Sequence, residues 1–169
     1  MIPEDIPAVM RIENSTNPTP WSEKIMRDCI NVGFKCWSLL VNGEVMGYAI
    51  YVLSLHQCHL LNFRLDIALH GQGYGSFFLQ HCLDETLKEG VAWMVLEVRP
   101  NNLAGQALYK KFGFTQISIK DNYYDDGGGV FEDALVYGLW IKKKLHYKTK
   151  SKSVKPLLSF LTRMRVKLL

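Results

Sequence analysis

Leu65-Asp66-Ile67-Ala68-Leu69-His70-Gly71-Gln72-Gly73-Tyr74-Gly75-Ser76 reads as the end of a strand, a glycine-rich turn and the start of a helix. Glycine lets a backbone approach a ligand closely, and a helix start offers free N–H groups and a positive dipole end. An anionic group, most naturally a pyrophosphate, fits there. No Lys-Ser/Thr follows the glycines, so the turn is not a nucleoside-triphosphate loop. Gly71, Gly73 and Gly75 give G-x-G-x-G and lack the G-x-x-G step of a dinucleotide fingerprint. The same glycines would also serve a tight turn with close helix packing and no ligand. The turn by itself does not separate the two readings.

Strands and helices alternate on both sides of this turn. A first short helix fits Glu4 to Asn14, with Ile6, Val9, Met10 and Glu13 at helical spacing. A proline-containing loop, Ser15 to Pro20, precedes a second helix opening near Trp21-Ser22-Glu23, with Thr19 or Ser22 as N-cap. Cys36–Val41 and Glu44–Leu53 form a hairpin across Asn42-Gly43, and a third strand runs from about His59 to Asp66. Beyond the turn come a helix over Ser76–Glu89, closed by Gly90, and a buried strand at Met94–Val98. A helix over Leu103–Phe112, capped by Asn101 or Asn102, and strands at Thr115–Lys120 and Ala134–Lys142 complete the pattern. Such alternation predicts an α/β domain.

A chain of 169 residues, 48% of them hydrophobic, suits one packed domain. There is no signal-peptide pattern at Met1-Ile2-Pro3-Glu4-Asp5 and no apolar run of membrane-spanning length, so a cytoplasmic protein is expected. Cys29, Cys36, Cys58 and Cys82 fall at unrelated spacings, and buried thiols are the default. His56, Cys58 and His59 do not fit a structural zinc site, because strand alternation turns Cys58 away from His59. No metal is expected. From Lys142 to Leu169 there are eight Lys, two Arg and no acid, leaving ten basic and sixteen acidic residues in the body. The chain therefore divides into a domain at residues 1–141 and a basic tail at 142–169.

Two residues stand out chemically. Glu97 lies inside Val95-Leu96-Glu97-Val98, where a carboxylate is costly unless paired, hydrated or functional. Burial would raise its pKa toward neutrality and suit it to general-base work; the structural alternative is pairing with Arg64 or Arg99. Tyr109 sits at the edge of the apolar stripe of the Leu103–Phe112 helix, where an ordinary half-buried core tyrosine is the simpler reading.

The turn Gln72-Gly73-Tyr74-Gly75 resembles motif A of the GNAT acetyltransferases, whose backbone amides hold the CoA pyrophosphate. Pro20-Trp21-Ser22-Glu23, Leu96-Glu97-Val98-Arg99, Asn102, Ala107-Leu108-Tyr109, Gly113-Phe114, Asn122-Tyr123-Tyr124 and Glu132-Asp133-Ala134 are similar to the RimI branch, N-terminal acetyltransferases of a ribosomal-protein alanine. The likeness covers residues 4 to about 141. It implies a mixed central sheet splayed between the family's fourth and fifth strands, here those ending near Asp66 and beginning near Met94, with flanking helices. It also implies acetyl-CoA as co-substrate, held by Ile67, Ala68, Gln72, Gly73, Tyr74, Gly75, Ser76 and Asn102. Glu97 would be the general base, through water, and Tyr109 the general acid toward the CoA thiolate. Trp21, Asn62, Arg64, Tyr123 and Asp133 would meet the substrate, a protein N-terminus such as that of a ribosomal protein. An α-amine titrates near ~7.7–8.0, against ~10.4 for lysine, so such a substrate asks less of the base.

Three features depart from the family. His70 and Gly71 replace basic or amide side chains, and Arg64 stands where a small residue is expected in the acetyl pocket. The chain also begins almost at its first helix: either an edge strand is missing, or the true start lies upstream of Met1. Acetylation of a lysine or small-molecule amine, and a weakly active CoA-binding module tethered by its tail, are the competing readings. In the tail, residues 142–155 read as a solvated lysine-rich linker attracted to polyanions such as the ribosome. Leu157, Phe160, Leu161, Met164 and Leu168 predict a short amphipathic helix, with fold-back onto the body favoured over binding to an anionic surface.

Overall fold

The computed structural model describes residues 1–125 and 129–141, and the backbone of 164–168. Helices α1 (Ile6–Thr16) and α2 (Glu23–Asn31) lead into β1 (Lys35–Val41), β2 (Glu44–Leu53) and β3 (Cys58–Leu65). Then follow α3 (Tyr74–Lys88), β4 (Trp93–Val98), α4 (Leu103–Lys111), β5 (Thr115–Asp125), β6 (Phe131–Trp140) and β7 (Met164–Leu168). The strands form one sheet in the order β5-β6-β4-β3-β2-β1-β7. Only β3 and β4 pair in parallel, across the α3 crossover; every other neighbouring pair is antiparallel.

Local chemistry sets most element ends. Asn42 and Gly43, at φ 54° and 88°, supply the two left-handed positions of the β1–β2 turn. The Ser22 side chain caps α2 by accepting from the Ile25 amide, and Asn102 caps α4 by accepting from Gly105. One sheet face packs on α3 and α4, where Phe78, Leu79 and Leu83 meet Leu39, Tyr51, Leu96 and Tyr137. On the other face Ile6, Val9, Ile12 and Met26 cover Cys36, Tyr48 and Ile50. All four cysteines are buried free thiols.

Three differences from the sequence reading have physical causes. Helix α3 starts at Tyr74, because Gly73 takes a left-handed φ of 89° at the N-cap and frees the next residue to be helical. Strand β5 continues past Lys120 to Asp125 through an irregularity at Asn122, whose φ of 52° is held by its amide donating to Asp133. The amphipathic helix expected beyond Pro156 falls partly on residues 157–163, outside the described residues. Met164–Leu168 are a strand instead, paired antiparallel with β1 from Trp37↔Leu168 to Val41↔Met164. Among the described residues no strand precedes α1, and the edge amides and carbonyls of β1 find their partners in β7. Residues 164–168 thus fold back onto the body, as favoured for the end of the chain, but through sheet pairing. No helix among the described residues is long and apolar enough to cross a membrane.

Candidate active site

The parallel pair β3–β4 is short: Cys58, His59 and Leu60 pair with Met94, Val95 and Leu96. Beyond those residues β3 runs on to Leu65 and β4 to Val98 without pairing to each other. A cleft of about 750 Å³ opens where they diverge, lined by Leu60–Leu65 and Leu96–Arg99. His70, Gly71, Gly73, Gly75, Ser76, Asn102 and Lys111 line it too, as do Thr16–Thr19, Trp21, Arg64, Tyr109 and Tyr124. The glycine turn, the buried acid and the tyrosine therefore share one cavity.

Glu97 is the centre of an ion cluster. Its side chain is 7% exposed, with Oε2 at 2.6 Å from His59 Nε2 and Oε1 accepting from Lys120 Nζ at 2.7 Å. Burial pushes its pKa up, but the hydrogen bonds and charges of His59 and Lys120 together outweigh burial and hold it below the ordinary carboxylate value. The expected shift toward neutrality is thus reversed. The expected arginine partners are engaged elsewhere. Arg64 donates to the Thr16 carbonyl at 2.9 Å and lies 3.7 Å from the fully buried Glu13, while Arg99 pairs with Glu132 at 2.5 Å.

Tyr109 is 7% exposed and packs edge-on against Phe114, with ring centroids 5.6 Å apart. It is a core tyrosine that also faces the cleft. Burial pushes its phenol up to about 12, against the lowering pull of the nearby Arg64 charge. The group is an O–H donor at any physiological pH.

The glycine turn is held from within. Asp66 accepts from the Ala68 amide, and Gln72 Nε2 donates back to the Ala68 carbonyl at 2.5 Å. His70 Nε2 contacts the Leu65 carbonyl at 3.1 Å, and Lys111 Nζ donates to Ser76 Oγ at 2.9 Å. A Cβ on Gly75 would stand 3.4 Å from both Leu65 and Leu108, so this glycine lets α3 sit close to β3 and α4.

Residues 6–114 match the family described as Acetyltransferase (GNAT) family. The chain belongs to that family. This GNAT domain is 37% identical over 135 residues to the [ribosomal protein bS18]-alanine N-acetyltransferase of Escherichia coli K12, covering 80% of this chain and 90% of that protein. The corresponding enzyme of Haemophilus influenzae is 28% identical over 137 residues, covering 81% and 93%. Among solved structures, the E. coli ribosomal-protein-S18-alanine N-acetyltransferase superposes with a TM-score of 0.77 at 34% identity, over 87% of this chain and 94% of that one. Ard1 from Thermoplasma volcanium shares the fold, with a TM-score of 0.77 at 24% identity over 85% and 95%.

Not every expected site residue of the GNAT domain reaches the cleft. Trp21, Asn62 and Arg64 line it, as do Gly73, Gly75, Ser76 and Asn102. Ile67, Ala68 and Gln72 of the turn and Tyr74 of α3 do not line it, with Ile67 exposed and Tyr74 in the core. Tyr123 points outward, its ring under Lys120 Nζ at 4.9 Å, and Tyr124 takes the cleft position. Asp133 holds the Asn122 amide rather than the cavity wall. Sequence reasoning missed His59, Lys120, Arg99 and Glu13. The signals available were Glu13 on the core stripe of α1 and Arg99 close to Glu97, weighed only as its ion-pair partner. Its carboxylate accepts from Asn17 Nδ2 at 2.7 Å, from the Trp21 amide at 2.8 Å and from the Tyr48 hydroxyl.

Proposed function

We propose that the chain transfers the acetyl group of acetyl-CoA directly to the α-amine of a protein N-terminus, one of the ribosomal-protein alanine type named for its relatives. The observation that carries this reading is the single cleft joining the start of α3 to Glu97 and Tyr109. The residues present suit acetyl-CoA as the co-substrate. Gly71 and Gly73 hold φ of 71° and 89°, and a Cβ at either would meet nothing within 4 Å, so a pyrophosphate can lie against bare backbone. The first turn of α3 adds amides without helical acceptors, and Lys111 and Asn102 stand beside it. The pantetheine arm would run along β3 where β4 has diverged, as an added strand, with β3 amides facing the thioester oxygen.

In this reading Glu97 stays ionised and accepts the amine proton through water as nitrogen bonds to the acetyl carbon. The carbon–sulfur bond then breaks and the thiolate leaves. Tyr109, whose phenol is less acidic than a thiol of about 8.5, contributes chiefly by hydrogen bonding to the developing thiolate. Trp21, Arg64 and Tyr124 border the space left for the peptide. For the tail, the support is composition: ten positive charges and no acid after residue 141 give weak polyanion attraction. Thiol release on an Ala-initiated peptide tests the reaction, with a free lysine side chain and a small-molecule amine as comparisons. Turnover of those amines and none of the peptide would reject the N-terminal assignment.

A further inference from the structure

Arg99, two residues beyond Glu97, links three segments that the chain order keeps far apart. Its NH1 donates to Glu132 Oε2 on β6 at 2.5 Å, and its NH2 donates to Thr19 Oγ1 in the α1–α2 loop at 2.9 Å. Its guanidinium carbon lies 4.2 Å from the centre of the Tyr124 ring on β5. The residue is only 8% exposed although it lines the cleft.

The two walls it joins differ in their other supports. The loop is fastened to α1 on both sides of Thr19, where Asn17 Nδ2 and the Trp21 amide both donate to the buried Glu13. Thr19 itself stands between Pro18 and Pro20, whose rings restrict the backbone of this part of the loop. The opposite wall is the β5–β6 hairpin, fastened through strand pairing at Tyr124↔Glu132. Guanidinium is planar, permanently charged and presents its donors at a fixed angle. Bonded at once to Thr19 and Glu132, it sets the distance between loop and hairpin.

We infer that Arg99 is a positioning residue which, through the Thr19 hydroxyl, sets the width of the groove that receives the peptide behind the reacting amine. This rests on the reading of the cleft as an N-terminal acetylation site. A substrate that ends at its first residue does not extend between the two walls, whereas a longer peptide does. The bridge therefore acts on peptide affinity and not on the chemistry at Glu97.

The test compares Thr19→Val, which keeps the shape and removes the acceptor, with Thr19→Ser, which keeps the acceptor, in the full-length protein. For a longer Ala-initiated peptide, Thr19→Val should raise KM measurably, by up to roughly fivefold if the whole contribution of the lost hydrogen bond is felt in peptide affinity. Its kcat and its acetyl-CoA affinity should stay at the wild-type values. Alanine amide, too short to span the groove, should show no change, and Thr19→Ser should restore the KM. Arg99→Lys should raise the same KM, because an ammonium does not reproduce the two-armed contact. An unchanged KM for the longer peptide in Thr19→Val would overturn the inference. So would an equal rise for alanine amide, or a fall in melting temperature with no change in KM. A wild-type protein that acetylates neither substrate would instead sink the functional reading on which the inference stands.

Discussion

Glu97 acquires its chemistry from two side chains that sit 38 and 23 positions away in the chain. His59 and Lys120 each favour the ionised carboxylate, and their joint pull exceeds the opposing cost of burial. Removing either partner should therefore raise the Glu97 pKa. In Lys120→Met, the carboxyl carbon of Glu97 followed by NMR should titrate at a higher pH than in the wild type; an unchanged or lower midpoint would show that Lys120 does not hold the charge. Glu97→Gln should cut turnover by roughly a hundredfold at neutral pH, with partial recovery as pH rises and the amine deprotonates itself. Tyr109→Phe should lower kcat while leaving acetyl-CoA binding intact, which isothermal titration and steady-state kinetics together would show. A carboxylate among valines and leucines is visible in the sequence as an anomaly. Its partners are not, because side chains brought together from strands far apart in the chain leave no local pattern.

At the scale of elements, α1 does more than cover the sheet. Glu13 lies on its buried face and collects donors from the loop that follows, from Tyr48 on β2 and, at longer range, from Asn62 and Arg64 on β3. One carboxylate thus fixes a helix, a loop and two strands. Glu13→Ala leaves the buried Tyr48 hydroxyl and the Trp21 amide without that acceptor, and should cost about 3–5 kcal/mol. Chemical denaturation would measure it, and a cost under about 1 kcal/mol would mean that water replaces the carboxylate. The helix itself was legible from Ile6, Val9 and Met10, and the β1–β2 hairpin from Asn42-Gly43. The hub was not, since periodicity reports which face is buried and not what a buried polar atom will meet.

At the scale of the whole molecule, β7 covers the β1 edge of the sheet. β1 would be a free edge if β7 were absent, and an unpaired strand edge invites pairing with another chain. Deleting residues 164–169 should lower the melting temperature by a few degrees and produce concentration-dependent association, measured by calorimetry and light scattering. Activity on a short peptide should persist in the soluble fraction, because the cleft lies on the far side of β3 and β2 from this edge. Acetyl-CoA should raise the melting temperature of the intact protein by mass action, whereas NADH and ATP at equal concentration should not.

The sequence by itself determined the α/β class, the strand–turn–helix with its glycines and the anomaly at Glu97, and narrowed each N-cap to two candidates, of which the fold uses Ser22 and Asn102. Each is a local signal: apolar spacing, a residue needing left-handed φ, a side chain that bonds an amide three positions on, a charge in an apolar run. Tertiary structure alone decided whether Glu97 would be neutral or ionised, since that depends on His59 and Lys120 arriving from other strands. It also decided that Tyr124, not Tyr123, faces the cleft, because the irregularity at Asn122 resets the alternation of β5. The last residues were settled the same way. Their helical spacing was real, but β1 offered unpaired backbone groups at the sheet edge, and Met164–Leu168 form the strand that pairs with them.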